Sequence, residues 1–334
     1  MLLDASLPPT GLQDIPAIAR AAEQIGFHAL WSAETLHDPF LSAGLVGEHT
    51  SRMHFGTAVA IAFARSPATL AYTAWDLAGA SNGRFVLGLG TQVKAHIQRR
   101  FGMDWPESPV NKLREQIGAL RAFWRTWQEG VPLNFRGEYY KLTLMTPFFN
   151  PGPIAHPDIP IYLAGVNTGL ARLAGEVAQG FHVHPFHTAR YLCEVLLPAL
   201  EESASRAGRS RADLKVSATV FVALDQYERE FVRQQIAFYA STPSYRPVMA
   251  LHGWEEQASQ LSSLASRGQW GEMPALVDDE ILAAFSVVAA RADLAGALKE
   301  RYQGNLDRLA LYTPFVPGDR DAFWSGLLSE LNGL

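Results

Sequence analysis

The chain has 334 residues, 48% of them hydrophobic and 18% charged, and a formal net charge of −5, the composition of a globular protein with a large core. Acids and bases are interspersed, with no basic stripe to neutralise a phosphate backbone, which argues against a nucleic-acid partner. A single cysteine, Cys193, excludes an internal disulfide framework and a thiolate metal site, and no apolar run reaches the roughly 18 residues that a membrane span needs.

Residues 2–4 read as a first strand. A helix follows over 13–25, with Ile15, Ile18, Ala22 and Ile25 on one face and Gly26 as its stop. Strand 29–32 precedes a short helix over 41–49. Strand 54–59 precedes a helix that Pro67 opens and that runs to residue 80. Strand 85–88 precedes a longer helix over 111–128. The pattern then breaks over 130–160, rich in prolines and aromatics. It resumes with strand 161–164, helix 168–178, strand 180–182 and helix 188–207, on which Cys193 is expected to be buried. Strand 216–222 and helix 228–239 lead to a second irregular stretch over 241–274. Helical segments at 278–285 and 293–303 and a strand over 308–312 complete the pass. A doubly wound open sheet also alternates in this way, but eight βα units without a linker favour a closed (β/α)8 TIM barrel. The expectation is one domain over 1–334, with insertions after the fourth and seventh strands. The N-terminus shows no basic and apolar leader pattern, so a cytoplasmic location is expected.

In such a barrel, function belongs to the loops that follow the strands. After strand two, Glu34, His37 and Asp38 bring two carboxylates and an imidazole to the mouth, able to bind a polar ring or move a proton; Glu34 and Asp38 could equally form ion pairs or cap the next helix. After strand four, Gly88 and Gly90 let a backbone approach a ligand, and Thr91, Gln92, Lys94 and His96 offer hydrogen bonds. A tight turn with a surface histidine would give the same spelling. After strand five, Ala164-Gly165-Val166-Asn167-Thr168-Gly169 leads into a helix N-terminus, an anion site by its free amides and dipole, whether or not Asn167 or Thr168 also caps the helix. His182, His184 and His187 suggest zinc, but no separate ligand with a metal spacing accompanies them, and no metal is expected. There is no nucleophile elbow, P-loop, HExxH or early Rossmann glycine turn.

Several stretches together resemble the luciferase-like flavin and deazaflavin oxidoreductases: Ala22-Glu23-Gln24-Ile25-Gly26-Phe27, Ser81-Asn82-Gly83-Arg84-Phe85-Val86-Leu87-Gly88-Leu89-Gly90, Phe135-Arg136-Gly137-Glu138-Tyr139-Tyr140 and Ile161-Tyr162-Leu163-Ala164-Gly165. The runs 34–40 and 88–101 look closest to the branch that uses the deazaflavin F420. The resemblance implies a cofactor across the mouth, its phosphate held by amides around Gly165, Val166, Thr168 and Gly169. Its ring would contact the ends of strands two to four, with Ala164, Gly90, Thr91 and Gln92 nearby and a non-proline cis peptide at Ala58-Val59. It implies hydride transfer between F420 and a small organic substrate. The alternatives are an FMN-dependent monooxygenase or a barrel that binds cofactor without turnover. Many relatives place an acid and then a histidine after strand two, whereas here Thr35 follows Glu34 and the histidine is His37. Val93 stands where deazaflavin sugar-phosphate dehydrogenases carry an acid, which disfavours a glucose-phosphate substrate. Glu34, His37 and His96 are the proton-donor candidates. The two insertions, with Phe148, Phe149, Trp254 and Trp270, are expected over the mouth. A homodimer is expected from the resemblance, through the helix that carries Ala71, Tyr72, Thr73, Ala74 and Trp75.

Overall fold

In the computed structural model, which describes residues 1–333, the alternating strands close into a barrel. The strands are β1 (Leu2–Ser6), β2 (Ala29–Ser32), β3 (His54–Thr57, continued by Ala60–Ile61), β4 (Phe85–Gly90), β5 (Ile161–Gly165), β6 (Gly180–Val183), β7 (Lys215–Ala223) and β8 (Arg308–Leu311). Each is parallel to the next, and β8 returns to β1 with Leu309 opposite Leu3. This is a (β/α)8 barrel. The helices that follow the strands in turn are Ile15–Ile25, Pro39–Glu48, Pro67–Ala80, Pro109–Glu129, Thr168–Val177, Leu197–Arg206, Leu294–Tyr302 and Asp321–Asn332. The last of these, which the strand-and-helix reading left out, packs against both Leu294–Tyr302 and Ile15–Ile25 and so completes the ring.

Outward-facing strand residues such as Leu3, Leu30, Leu87, Leu163, Phe181 and Leu309 merge with the helices into one hydrophobic core, because the period of two sends alternate residues to opposite faces. The inward residues form a separate, partly polar filling: Ala29, Trp31, Val86 and Tyr162 pack together beside Asp4, His182 and Arg308. Asp4 accepts hydrogen bonds from Arg308 Nε and Nη2, both at 2.8 Å, and from Trp31 Nε1 at 2.9 Å. Arg308 also lies over the Trp31 ring, 5.6 Å from its centroid.

One irregularity shapes the mouth. Between Gly56, opposite Val86, and Ala60, opposite Leu89, β3 has three residues where β4 has two, a bulge, and the Ala58-Val59 peptide inside it is cis. The Thr57 hydroxyl donates to Gly88 O at 2.6 Å and accepts from Gly88 N–H at 3.0 Å. The side chain thereby supplies the ladder bonds that the bulge removes. Only glycine fits at 88, since a Cβ there would lie 1.8 Å from Thr57 O.

The two excursions differ from their expected form. Residues 130–160 lie along the barrel's flank. The hairpin Phe135–Arg136/Lys141–Leu142 is pinned by Glu115, which accepts from the amides of Glu138, Tyr139 and Tyr140. The chain then crosses helix Pro67–Ala80, where Tyr72 and Trp75 donate to Phe149 O and Gly152 O. Phe148 and Phe149 are exposed there. The second excursion begins earlier than the irregular composition suggests. Helix Gln226–Ala240 packs on the helical segments 255–285 of the excursion, and the strand Ser286–Val288 pairs with the C-terminal end of β7, so residues 226–288 as a whole sit at the mouth. Trp254 is buried against His252, while Trp270 stays half exposed beside Phe238. Cys193 is exposed, not buried. It falls in a π-helical turn, Leu192–Leu196, which shifts the phase of the helix so that Leu192 and Leu196 take the inner face instead.

Candidate active site at the barrel mouth

Strand register identifies the residues that face the mouth. Asp4 is level with Ala310, Thr219 with Ala310, Ser217 with His182, Ala164 with His182 and Gly88 with Tyr162. These all point inward, and one step further up each strand are Ser6, Gly90, His184, Phe221 and Tyr312, level with Ala164 or above it. The β1–β5 half of the mouth is therefore floored by small residues, Ser6, Ala58, Gly90 and Ala164. The β6–β8 half is walled by aromatic rings and an imidazole. The small-residue half is the low side of the mouth. Gly90 is needed for that shape, since a Cβ would meet Val59 Cγ2 at 2.7 Å. Beyond it, Gln92 holds φ +60° and its side-chain oxygen accepts from Val93 N–H at 2.9 Å, fixing the turn that carries Thr91.

Glu34 sits behind the cis-peptide bulge. Its N–H donates to Val59 O at 3.3 Å, and its carboxylate accepts from Ile61 N–H at 2.7 Å and Arg65 Nη1 at 2.6 Å. Arg65 Nη2 reaches Asp38 at 2.8 Å, and the other oxygen of Asp38 caps helix Pro39–Glu48 through Phe40 N–H. Burial works against the Arg65 charge, but the hydrogen bonds and charges of Glu34 and Asp38 outweigh it and hold the guanidinium above the ordinary arginine range. The Glu34 carboxylate is thus engaged on the bulge itself. His37 and His96 are both exposed, His96 on the short helix Lys94–Arg99. The sequence reading overlooked Arg65, although a lone arginine closing the apolar run 58–64 was a usable signal.

At the end of β5, Asn167 does not cap the helix Thr168–Val177. Its amide nitrogen donates instead to Ser244 O at 2.8 Å, and its Oδ1 is sealed without a partner. Thr168 Oγ1 accepts from Arg172 at 3.2 Å. The first-turn amides of that helix therefore have no side-chain acceptor, the arrangement that suits a phosphate. Gly165 is required by packing, because a Cβ would come within 2.7 Å of Leu170, whereas Gly169 has only Val110 near it, at 3.4 Å. A cavity of about 410 Å³ opens beside Asn167 and Thr168 against Tyr191, Val195, Pro247 and Leu251.

The three histidines in and after β6 do not converge. His182 is inside the barrel, edge-on to Trp31, with centroids 4.9 Å apart; His184 is at the mouth against Tyr239 and Tyr245; His187 lies outside, near Tyr302. Burial pushes His182 down to about 3, the Arg308 charge adding to it, and pushes His184 to about 3 and His187 to about 4. All three stay neutral when folded but bind a proton near pH 6.5 when unfolded. Their stabilisation is therefore complete above about pH 6.5 and is lost as pH falls from there toward 3, by at most about 1.4 kcal/mol per pH unit for each ring. Guanidinium unfolding at pH 7 and pH 5 is expected to show a clear fall in stability; equal stability at the two would refute the neutral burial of these rings.

The family described as luciferase-like monooxygenase matches residues 3–308. An uncharacterised protein of Mycobacterium tuberculosis is 44% identical, over 92% of both chains. The 5,10-methylenetetrahydromethanopterin reductase of Methanopyrus kandleri is 25% identical over 95% of this chain and 93% of its own. The structure of the coenzyme F420 dependent tetrahydromethanopterin reductase from that organism superposes with a TM-score of 0.80 at 22% identity, covering 100% of this chain and 99% of its own. A type II Baeyer-Villiger monooxygenase of Pseudomonas putida, solved in complex with FMN, superposes with a TM-score of 0.66 at 18% identity, over 99% and 96% of the two chains.

Proposed function

We propose, from the premise that the chain belongs to the luciferase-like monooxygenase family, that it holds F420 at the barrel mouth and transfers a hydride between it and a small organic substrate. The observation that carries this reading is the half-mouth of small residues, Ser6, Ala58, Gly90 and Ala164, continuous with the uncapped helix N-terminus at Thr168. A flat ring fits the first and a phosphate the second. The preference for the deazaflavin over FMN rests on the reductase of Methanopyrus kandleri, which is similar to this chain in sequence along nearly its whole length. The bound cofactor would supply the hydride chemistry. The chain's own residues would position it: the bulge at Ala58-Val59 under the ring, Glu34 and Arg65 bracing that bulge, Thr91 and Gln92 at its edge, and the amides of Val166, Thr168 and Gly169 on the phosphate. Of the three proton-donor candidates, His37 and His96 are the side chains free to exchange a proton with a substrate.

A titration of the purified protein with oxidised and reduced F420 and with FMN, followed by fluorescence quenching, tests the reading. Saturable binding of F420 with weak FMN binding is expected. Tight FMN binding with weak F420 binding would replace it with an FMN monooxygenase, and binding of neither would overturn the cofactor assignment.

The reading includes a cytoplasmic homodimer. Ala71, Ala74 and Trp75 are buried within the chain's own fold, so the contact would fall beside them, where Leu144, Phe148 and Phe149 are 79%, 88% and 60% exposed. Sedimentation equilibrium should give twice the 36.7 kDa chain mass, and a monomer would refute it.

A further inference from the structure

His184 follows the last residue of β6. Phe181 and Val183 belong to the outer core and His182 faces the barrel interior, so the period of two brings His184 to the inward side one layer above His182. There its ring meets Tyr239 edge-on, with centroids 4.9 Å apart, and Tyr245 at 5.0 Å. Phe221 and Tyr312 continue the wall, 4.5 Å apart.

The hydrogen bonds assign the protons of His184, Tyr239 and Tyr312. The Phe186 N–H can only donate, and it points at His184 Nδ1 from 3.1 Å. Nδ1 therefore keeps its lone pair, and the neutral ring carries its hydrogen on Nε2. Tyr312 donates to Gln235 Oε1 at 3.0 Å, so its oxygen accepts the hydrogen of Tyr239, 2.8 Å away. Both hydroxyl hydrogens are spent. His184 Nε2–H has no acceptor among the described residues, and unlike Nε2 of His182 and of His187 it is not sealed from solvent. The inward residues that end β6, β7 and β8, namely His184, Phe221 and Tyr312, carry no charge, and across the mouth Arg65 is taken by Glu34 and Asp38.

We propose that His184 determines specificity by donating its Nε2–H to an oxygen of the substrate, and that the substrate is an uncharged aromatic carbonyl compound. The assignment rests on the proposed function for the site but uses none of the cofactor contacts. Aromatic walls favour a flat apolar molecule through edge and stacking contacts, and a donor that is desolvated when the ligand binds rejects a shape-matched molecule that leaves it unpaired. A carboxylate or phosphate would be desolvated against these rings without a cation to compensate it. Burial keeps the imidazole neutral throughout the physiological range, so it acts as a hydrogen-bond donor and not as an acid.

Acetophenone and ethylbenzene, similar in shape and differing in the oxygen, test the proposal by isothermal titration calorimetry on the full chain with and without F420. Wild type should bind acetophenone about ten-fold more tightly than ethylbenzene. His184→Phe should bind the two alike with the F420 affinity of the folded protein unchanged, and its thermal midpoint should fall because the Phe186 N–H loses its acceptor. As a measurement that needs no variant, the His184 Hε2 proton resonance of wild type should shift downfield with acetophenone, whereas ethylbenzene, which offers no acceptor, should give no comparable downfield shift. Equal binding of the two probes by wild type, a preference that survives in His184→Phe, an unmoved resonance, or tighter binding of benzoate than of acetophenone would each overturn the proposal. Failure of wild type to bind F420, with the acetophenone preference intact, would remove the cofactor reading and leave the His184 assignment standing.

Discussion

Asp4→Ala is expected to cost about 3–5 kcal/mol of stability, the typical penalty for leaving one partner of a buried ion pair uncompensated. Asp4 is fully buried, and it accepts from Arg308 twice and from Trp31 once. Burial opposes the charge of Arg308, and Asp4 is what outweighs it and keeps the guanidinium above its usual range. Removing Asp4 leaves a cation and an indole N–H in the barrel interior with no acceptor. The pair itself is not worth that amount. Replacing both members by apolar residues of similar volume, Asp4→Leu with Arg308→Met, should recover most of the loss, because the desolvation of both charges disappears with them. Guanidinium unfolding of the three proteins decides the matter, and a loss below about 1 kcal/mol in Asp4→Ala would contradict the role given to the pair. Since this layer lies beneath the mouth, F420 affinity of the folded fraction should not change.

The second large effect is expected at Glu34, and it falls on binding. Its carboxylate joins Ile61 N–H to Arg65 and its N–H holds Val59 O, so Glu34→Ala frees the segment that would lie under the cofactor ring. F420 affinity should fall at least about ten-fold, the effect of one or more charge-assisted hydrogen bonds, and the pH profile of turnover should keep its shape. Glu34→Gln retains an acceptor for Ile61 N–H and should lose less. A residue that transferred a proton in the reaction would behave otherwise: both variants would lose turnover while F420 affinity stayed constant, and one limb of the pH profile would vanish. Paired measurement of F420 affinity and of the pH–rate profile separates the two roles. The second pattern would make Glu34 a proton carrier and would withdraw its assignment as a brace.

Much of the fold was legible because short apolar strands alternating with amphipathic helices have few ways to bury both faces. Eight such units with helix stops such as Gly26 and openings such as Pro67 indicated the barrel, and the small residues at 58, 90 and 164 stood where the resemblance places a ring. The second excursion was only half legible. Gln226–Ala240 has the periodicity of an ordinary barrel helix, and nothing in that periodicity says whether the face packs on the barrel's side or over its mouth. Cys193 was misplaced for a related reason, because a π-helical turn changes which residues face inward without changing the composition.

The sequence by itself determined which loop follows which strand, and so that Glu34, His37, Gly90 and Gly165 lie at or just past strand ends. Only the tertiary structure decided what those residues are free to do. Glu34, His37 and His96 look equivalent as a list of titratable groups, but Arg65 reaches Glu34 from 31 positions away and leaves both histidines exposed. His184 looked like one of three closely spaced histidines until the Phe186 amide fixed its tautomer and two tyrosines from the excursion closed around it. Partners distant in sequence meet only when the barrel closes, and a side chain's charge, proton position and accessibility all depend on those partners.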